Sequence, residues 1–78
     1  MFNPQLDFGS KVEFEGKEYI VDQKNVTIHQ KGEKYDRKFL DLKIGELFTV
    51  EGDDELFIAQ SNPFRDELGI PCIEVVTY

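Results

Sequence analysis

The sequence predicts a mainly β fold: a small antiparallel β barrel or rolled sheet of about six short strands, with one short helical turn near residues 62–68. Three observations carry this. Val12-Glu13-Phe14, Val26-Thr27-Ile28-His29 and Ile73-Glu74-Val75 alternate apolar with polar residues at the two-residue period of a half-buried strand. Gly16, Gly32 and Gly52 punctuate the β-prone runs at hairpin spacing. With 78 residues the chain is one domain, and it buries only roughly 60% of the surface it exposes when unfolded, so a roomy enclosed active site is not expected.

Residues 1–9 mix Phe2, Leu6 and Phe8 with Pro4 and Gly9, too broken for a helix, and read as an ordered arm or short first strand. Lys11 to Val21 then forms a hairpin about Glu15-Gly16-Lys17, where Gly16 supplies the positive backbone angle of a short bulged turn. After a polar connection at 22–25, Val26 to His29 places Val26 and Ile28 on one face and Thr27 and His29 on the other, before a turn at 31–34. The next segment, 35–42, reads two ways. Tyr35, Phe39 and Leu42 have helical spacing, whereas Phe39-Leu40-Asp41-Leu42 also reads as strand, which its length and neighbours favour.

Residues 46–51 and 55–60 form a second hairpin around Gly52-Asp53-Asp54. In 61–69, Asn62 can cap, Pro63 suits a first helical position and Gly69 can end a helix, hence the expected turn. A closing strand runs from Ile70 to Tyr78, with Ile73 and Val75 on one face and Glu74 on the other.

Charge is the sharpest feature. Residues 1–45 carry eight acids and eight bases; residues 46–78 carry eight acids and only Arg65, so the second segment holds the whole net charge of −7. Gathered on one face, those acids would repel nucleic acid and anionic membrane and attract a basic partner. The basic segment 31–43, with Lys31, Lys34, Arg37, Lys38 and Lys43 around Tyr35 and Phe39, is interleaved with Glu33, Asp36 and Asp41, which weakens any nucleic-acid reading. No apolar run approaches the length of a membrane span, and the N-terminus lacks the form of a secretory signal, so a cytoplasmic location is expected.

Little in the sequence suggests catalysis. His29 is the only histidine and Cys72 the only cysteine, so neither a disulfide nor a cysteine/histidine zinc set is available. Cys72 reads as a small apolar packing residue, and no phosphate-binding glycine loop is present. The Glu51-Gly52-Asp53-Asp54-Glu55 cluster lacks the alternating acids of a calcium loop. No cofactor and no metal are expected. The candidate partner-binding residues are Glu51, Asp53, Asp54 and Glu55 at the hairpin tip, with Phe64, Asp66 and Glu67 in the late loop, an aromatic among acids being a suitable interface anchor. For Phe64 a core plug beneath its loop is the slightly favoured reading. A small β domain with exposed edges also leaves a homodimer open.

Two stretches resemble known proteins. The hairpin GSKVEFEGKEYIV is similar to the opening of many small β barrels. Leu42-Lys43-Ile44-Gly45-Glu46-Leu47-Phe48, followed by Glu51-Gly52-Asp53-Asp54-Glu55-Leu56-Phe57-Ile58 and an apolar last strand, resembles small bacteriophage and prophage proteins with a Leu-x-x-Gly-x-x-Phe turn, a hairpin and a closing strand. Those proteins usually end in Thr-Gly, whereas this chain ends Thr77-Tyr78, and the resemblance covers only residues 39–78. It implies a phage-encoded inhibitor that occupies a host protein in the host cytoplasm, an anti-defence protein that imitates the charge of DNA being one form. A small-molecule binder built at a homo-oligomer interface and a virion structural or assembly component are the alternatives.

Overall fold

The computed structural model describes residues 11–78; the arm expected at 1–9 lies outside them. Among the described residues eight strands form one antiparallel sheet: β1 (Lys11–Phe14), β2 (Lys17–Val21), β3 (Asn25–Gln30), β4 (Glu33–Lys38), β5 (Leu47–Val50), β6 (Phe57–Ala59), β7 (Phe64–Arg65) and β8 (Pro71–Thr77). Their order is β1-β2-β8-β6-β5-β3-β4, with β7 added to β8 beside β6. Among the described residues no pairing joins β1 to β4, so the sheet is open rather than a closed barrel.

Local chemistry sets the two tightest reversals. Phe14 pairs with Lys17 and Gln30 with Glu33, leaving the two-residue loops Glu15-Gly16 and Lys31-Gly32. All four loop residues have positive φ, 51° and 79° in the first and 52° and 79° in the second, the type I′ geometry whose twist matches that of the strands it joins. The first loop is therefore shorter than the bulged turn expected. Glycine adopts this conformation freely, whereas Glu15 and Lys31 do so at a cost.

Two corrections concern the irregular segments. The helical turn expected at 62–68 does not form: Phe64 and Arg65 pair as β7 with Cys72 and Pro71, and the chain reverses through residues 66–70. Asp66 uses one carboxylate oxygen to accept the N–H groups of Leu68 (2.8 Å) and Ile70 (2.9 Å), so the acid caps a turn rather than a helix. The segment 35–42 is divided, strand to Lys38 and then a single 3-10 turn at Phe39–Asp41 that drops Phe39 and Leu42 into the core.

The connection from β2 to β3 shapes the sheet. Three residues, Asp22 to Lys24, join strands with β8, β6 and β5 between them. In a flat sheet four strand spacings amount to about 19 Å, but the connection reaches at most about 14 Å. The register adds to the mismatch, since Val21 pairs with Cys72 at one end of β8 while β6, which leads to β3 through β5, pairs at the other end. The sheet therefore curls, and its concave side encloses one cluster drawn from β2, β3, β5, β6, β8 and the 3-10 turn: Ile20, Val26, Ile28, Phe39, Phe48, Phe57, Ile73 and their neighbours. Phe48 and Phe57 sit opposite each other in the β5–β6 ladder with ring centroids 6.0 Å apart.

A smaller cluster lies on the opposite face of β1, β2 and β8, where Val12, Tyr19, Val21 and Cys72 are covered by Phe14, Phe64 and Ile70. Phe64 meets Tyr19 edge-on at 6.2 Å. β2 is thus apolar on both faces, which explains its unbroken Tyr19-Ile20-Val21 run.

Two consequences are measurable in urea. Phe57→Ala removes a fully buried ring and should cost about 3–5 kcal/mol, comparable to the whole stability of a domain this small. Glu15→Asn and Lys31→Asn relieve left-handed backbone and should each raise stability by about 0.5 kcal/mol.

Candidate functional site

The β5–β6 hairpin places its connection, residues 51–56, over the outer face of β3 and β5. Together they border a groove of about 680 Å³ lined by Thr27, His29, Lys34, Thr49, Glu51, Asp53, Asp54 and Leu56, among others. Strand alternation explains the floor: Val26, Ile28, Phe48 and Val50 face inward, so Thr27, His29 and Thr49 face outward. His29 Nε2 and Thr49 Oγ1 lie 3.1 Å apart across the β3–β5 ladder. Gly52, at φ 80°, turns the chain at the tip, and Asp53 steadies the connection by accepting the Glu55 N–H at 2.9 Å.

Of the four acids expected at the tip, Glu51, Asp53 and Asp54 are exposed and reach this groove, whereas Glu55 turns away. Its carboxylate accepts from Lys11 at 3.0 Å, and Lys11 also pairs with Glu18 at 3.0 Å and lies 5.7 Å from the centre of the Phe57 ring. Lys11 thus ties β1 to the β5–β6 connection, and the two carboxylates raise its pKa above the usual lysine value. Such half-exposed pairs are individually weak; the cation also lies over the ring of the buried Phe57.

The other expected residues lie apart from the tip. Tyr78 N–H donates to Leu56 O, so the tip neighbours the C-terminal end of β8, while the 66–69 turn precedes its N-terminal end. Asp66 is engaged in its own turn, Glu67 is exposed, and Phe64 packs against the smaller core. The late loop and the hairpin tip therefore do not share one patch.

Pairing across the chain redistributes the acidity of the second segment. Arg37 Nη1 contacts both oxygens of Glu46 (2.9 and 3.0 Å), Lys17 meets Glu74 at 3.6 Å, and Lys11 holds Glu55. Among the described residues, Glu51, Asp53 and Asp54 make no ion pair, which leaves the tip as the most concentrated uncompensated negative charge of that segment.

The single cysteine is withdrawn from solvent. Cys72 is fully buried, its thiol lies 3.2 Å from Ile70 O, and burial, reinforced by the nearby Asp66 carboxylate, pushes its pKa up to about 11. Among the described residues no group of three or more His, Cys, Asp or Glu side chains is placed to hold a metal ion. Among the described residues no helix is long and apolar enough to cross a membrane.

A second concavity, between the β2–β3 connection and the 3-10 turn, gathers Lys24, Lys38 and Arg65. Sequence reasoning passed over it because these bases come from three separate segments. The one local signal was Arg65, the lone base of an acidic stretch.

Comparison of the chain with protein-family models, with curated proteins and with solved structures gives no match.

Cys72 should resist alkylation by iodoacetamide at pH 8 in the folded protein and react readily once the chain is unfolded in urea, as mass spectrometry would read. Linkage gives the alkaline behaviour. The folded thiol keeps its proton to about 11 whereas the unfolded thiol loses it near 9.0, so the unfolded state binds fewer protons above pH 9 and stability declines as pH rises. Lys11 acts in the same direction above 10.5, because its raised folded pKa makes the clamp a stabilising contact only while the amine stays protonated. Urea midpoints should fall between pH 9 and 11, and Cys72→Ala should reduce the slope.

Proposed function

We propose that the protein is a non-enzymatic binding protein that offers the carboxylates of the β5–β6 connection to a basic protein surface. The observation that carries this reading is the sorting of charge: Glu46, Glu55 and Glu74 are held by bases from the first half of the chain, whereas Glu51, Asp53 and Asp54 stand together and exposed on one connection, without an ion pair among the described residues. Such a concentration steers association with a cationic partner and makes its rate depend on ionic strength. The groove floor of Thr27, His29 and Thr49 supplies hydrogen-bonding groups beside the acids, so a partner's lysine or arginine could be held by geometry as well as field.

A binding role rather than a catalytic one is favoured by the state of Cys72, whose thiol is buried with a raised pKa. The resemblance of residues 39–78 to small phage and prophage proteins narrows the reading to an inhibitor that occupies a host protein.

Charge reversal tests the site if it spares the structural acids. Glu55 belongs to the Lys11 clamp and the Asp53 carboxylate accepts a turn N–H, so the suitable variant is Glu51→Lys, Asp53→Asn, Asp54→Lys, in which Asn keeps the acceptor. Bacterial lysate passed over immobilised protein at low and then moderate salt should yield basic proteins that elute as salt rises. The variant should release them at lower salt while its urea midpoint shifts by less than about 0.5 kcal/mol. Capture of the same proteins by the variant, with the same salt profile, would defeat the proposal.

A further inference from the structure

We infer that the groove at the β2–β3 seam binds a small phosphorylated organic molecule, its phosphate met by Lys24, Lys38 and Arg65. The described residues that line the groove are these three bases with Asp22, Gln23, Asn25, Leu40 and Pro71, around a volume of about 440 Å³. That volume is within the usual range for small-ligand pockets.

Charge is the first argument. The chain has sixteen acids for nine bases, so most bases could find a partner, and Lys11, Lys17 and Arg37 do. Lys24, Lys38 and Arg65 make no ion pair among the described residues, although Asp22 is on the same rim. Three cations from three elements thus line one concavity, and a dianionic oxyanion placed there is attracted by all three.

Preorganisation is the second. The connection that forms the groove wall is stitched on both sides: the Asp22 N–H donates to Pro71 O at 3.0 Å, and the Phe39 N–H donates to Lys24 O at 2.9 Å. Asp22 is held at φ 57°, a left-handed conformation that a non-glycine residue keeps only where its surroundings impose it. Arg65 Nη1 donates to Gly69 O at 2.7 Å, which fixes the guanidinium while leaving other N–H groups for an anion. Leu40, nearly half exposed, and Pro71 provide apolar walls beside the cations, a surface that suits the organic part of a ligand.

Scale selects a small ligand over a polyanion. Without the three groove cations the chain has six bases against sixteen acids, a net charge of −10, which a nucleic acid or an anionic bilayer would confront across its whole length. A molecule the size of a nucleotide meets only the groove. The site shares no residue with the acidic hairpin groove, so the two readings stand or fall separately.

Titration of 15N-labelled protein with adenosine 5′-monophosphate tests the inference, with inorganic phosphate, adenosine, a twelve-nucleotide single strand and phosphatidylserine vesicles as parallel arms. Saturable amide shifts confined to residues 22–25, 38–40 and 65–71 are expected with the monophosphate, weaker ones with phosphate, and none with adenosine. Lys24→Gln/Lys38→Gln, which leaves the Arg65–Gly69 contact in place, should weaken the monophosphate by about tenfold with an unchanged urea midpoint. No saturation at millimolar monophosphate, equal binding by the double variant, equal shifts with adenosine, or preference for the oligonucleotide or vesicles would overturn it.

Discussion

A three-residue connection governs this fold. Because Asp22 to Lys24 must join two strands that the sheet separates by three others, the sheet is obliged to curl, and the curl is what creates an inside. Hydrophobic burial then favours the curled state. Ile20 and Ile73 on one side of the roll and Ile28, Phe48 and Phe57 on the other enter a common cluster that a flat sheet would leave half solvated. The same connection leaves a seam in place of a hydrogen-bonded closure, and two main-chain bonds, to Pro71 and from Phe39, fasten it. At the other side of the roll Lys11 spans β1 and the β5–β6 connection with both a charge pair and a ring contact.

Curling also decides where charge resides. In the linear sequence all net negative charge belongs to residues 46–78, yet the fold carries three bases of the first half onto acids of the second. Each such pair contributes little stability, since the groups remain partly solvated. Their larger effect is on the surface field: they neutralise the acids that lie along the strands and leave unbalanced the ones on the 51–54 connection. The same movement brings Arg65, alone in its acidic neighbourhood, beside Lys24 and Lys38. A single topological requirement therefore separates one concentrated negative patch from one concentrated positive groove.

The hairpins were legible in the sequence because their determinants are local. Gly16 and Gly32 mark the two reversals with a residue that takes positive φ freely, and the alternation of Val26, Thr27, Ile28 and His29 fixes the inward face with no knowledge of the partner strand. The segment 62–68 misled for the converse reason. Asn62, Pro63 and Gly69 are real helix signals, but Phe64 gains a place against Tyr19 and a ladder to Cys72, and that tertiary gain outweighs local preference. Residues 35–42 contained both answers, strand through Lys38 and a helical turn after it. For the site, Glu51, Asp53 and Asp54 could be read from proximity along the chain. The diversion of Glu55 to Lys11, a residue 44 positions away, could not, nor could the convergence of Lys24, Lys38 and Arg65.

The exposed edge shows how an open sheet remains a defined molecule. Among the described residues β4 is flanked on one side only, by β3, and its Lys34, Asp36, Arg37 and Lys38 are charged; a neighbouring chain adding there would have to desolvate or match each of them. Arg37 is further committed, since its Nη1 contact with both oxygens of Glu46 and the bond from Lys43 N–H to the same carboxylate bind the edge strand to the turn that follows it. An edge so guarded directs association away from strand addition and toward side-chain surfaces. Among the described residues, Glu51, Asp53 and Asp54 on the acidic connection and Lys24, Lys38 and Arg65 at the seam make no ion pair, so both surfaces keep their charge.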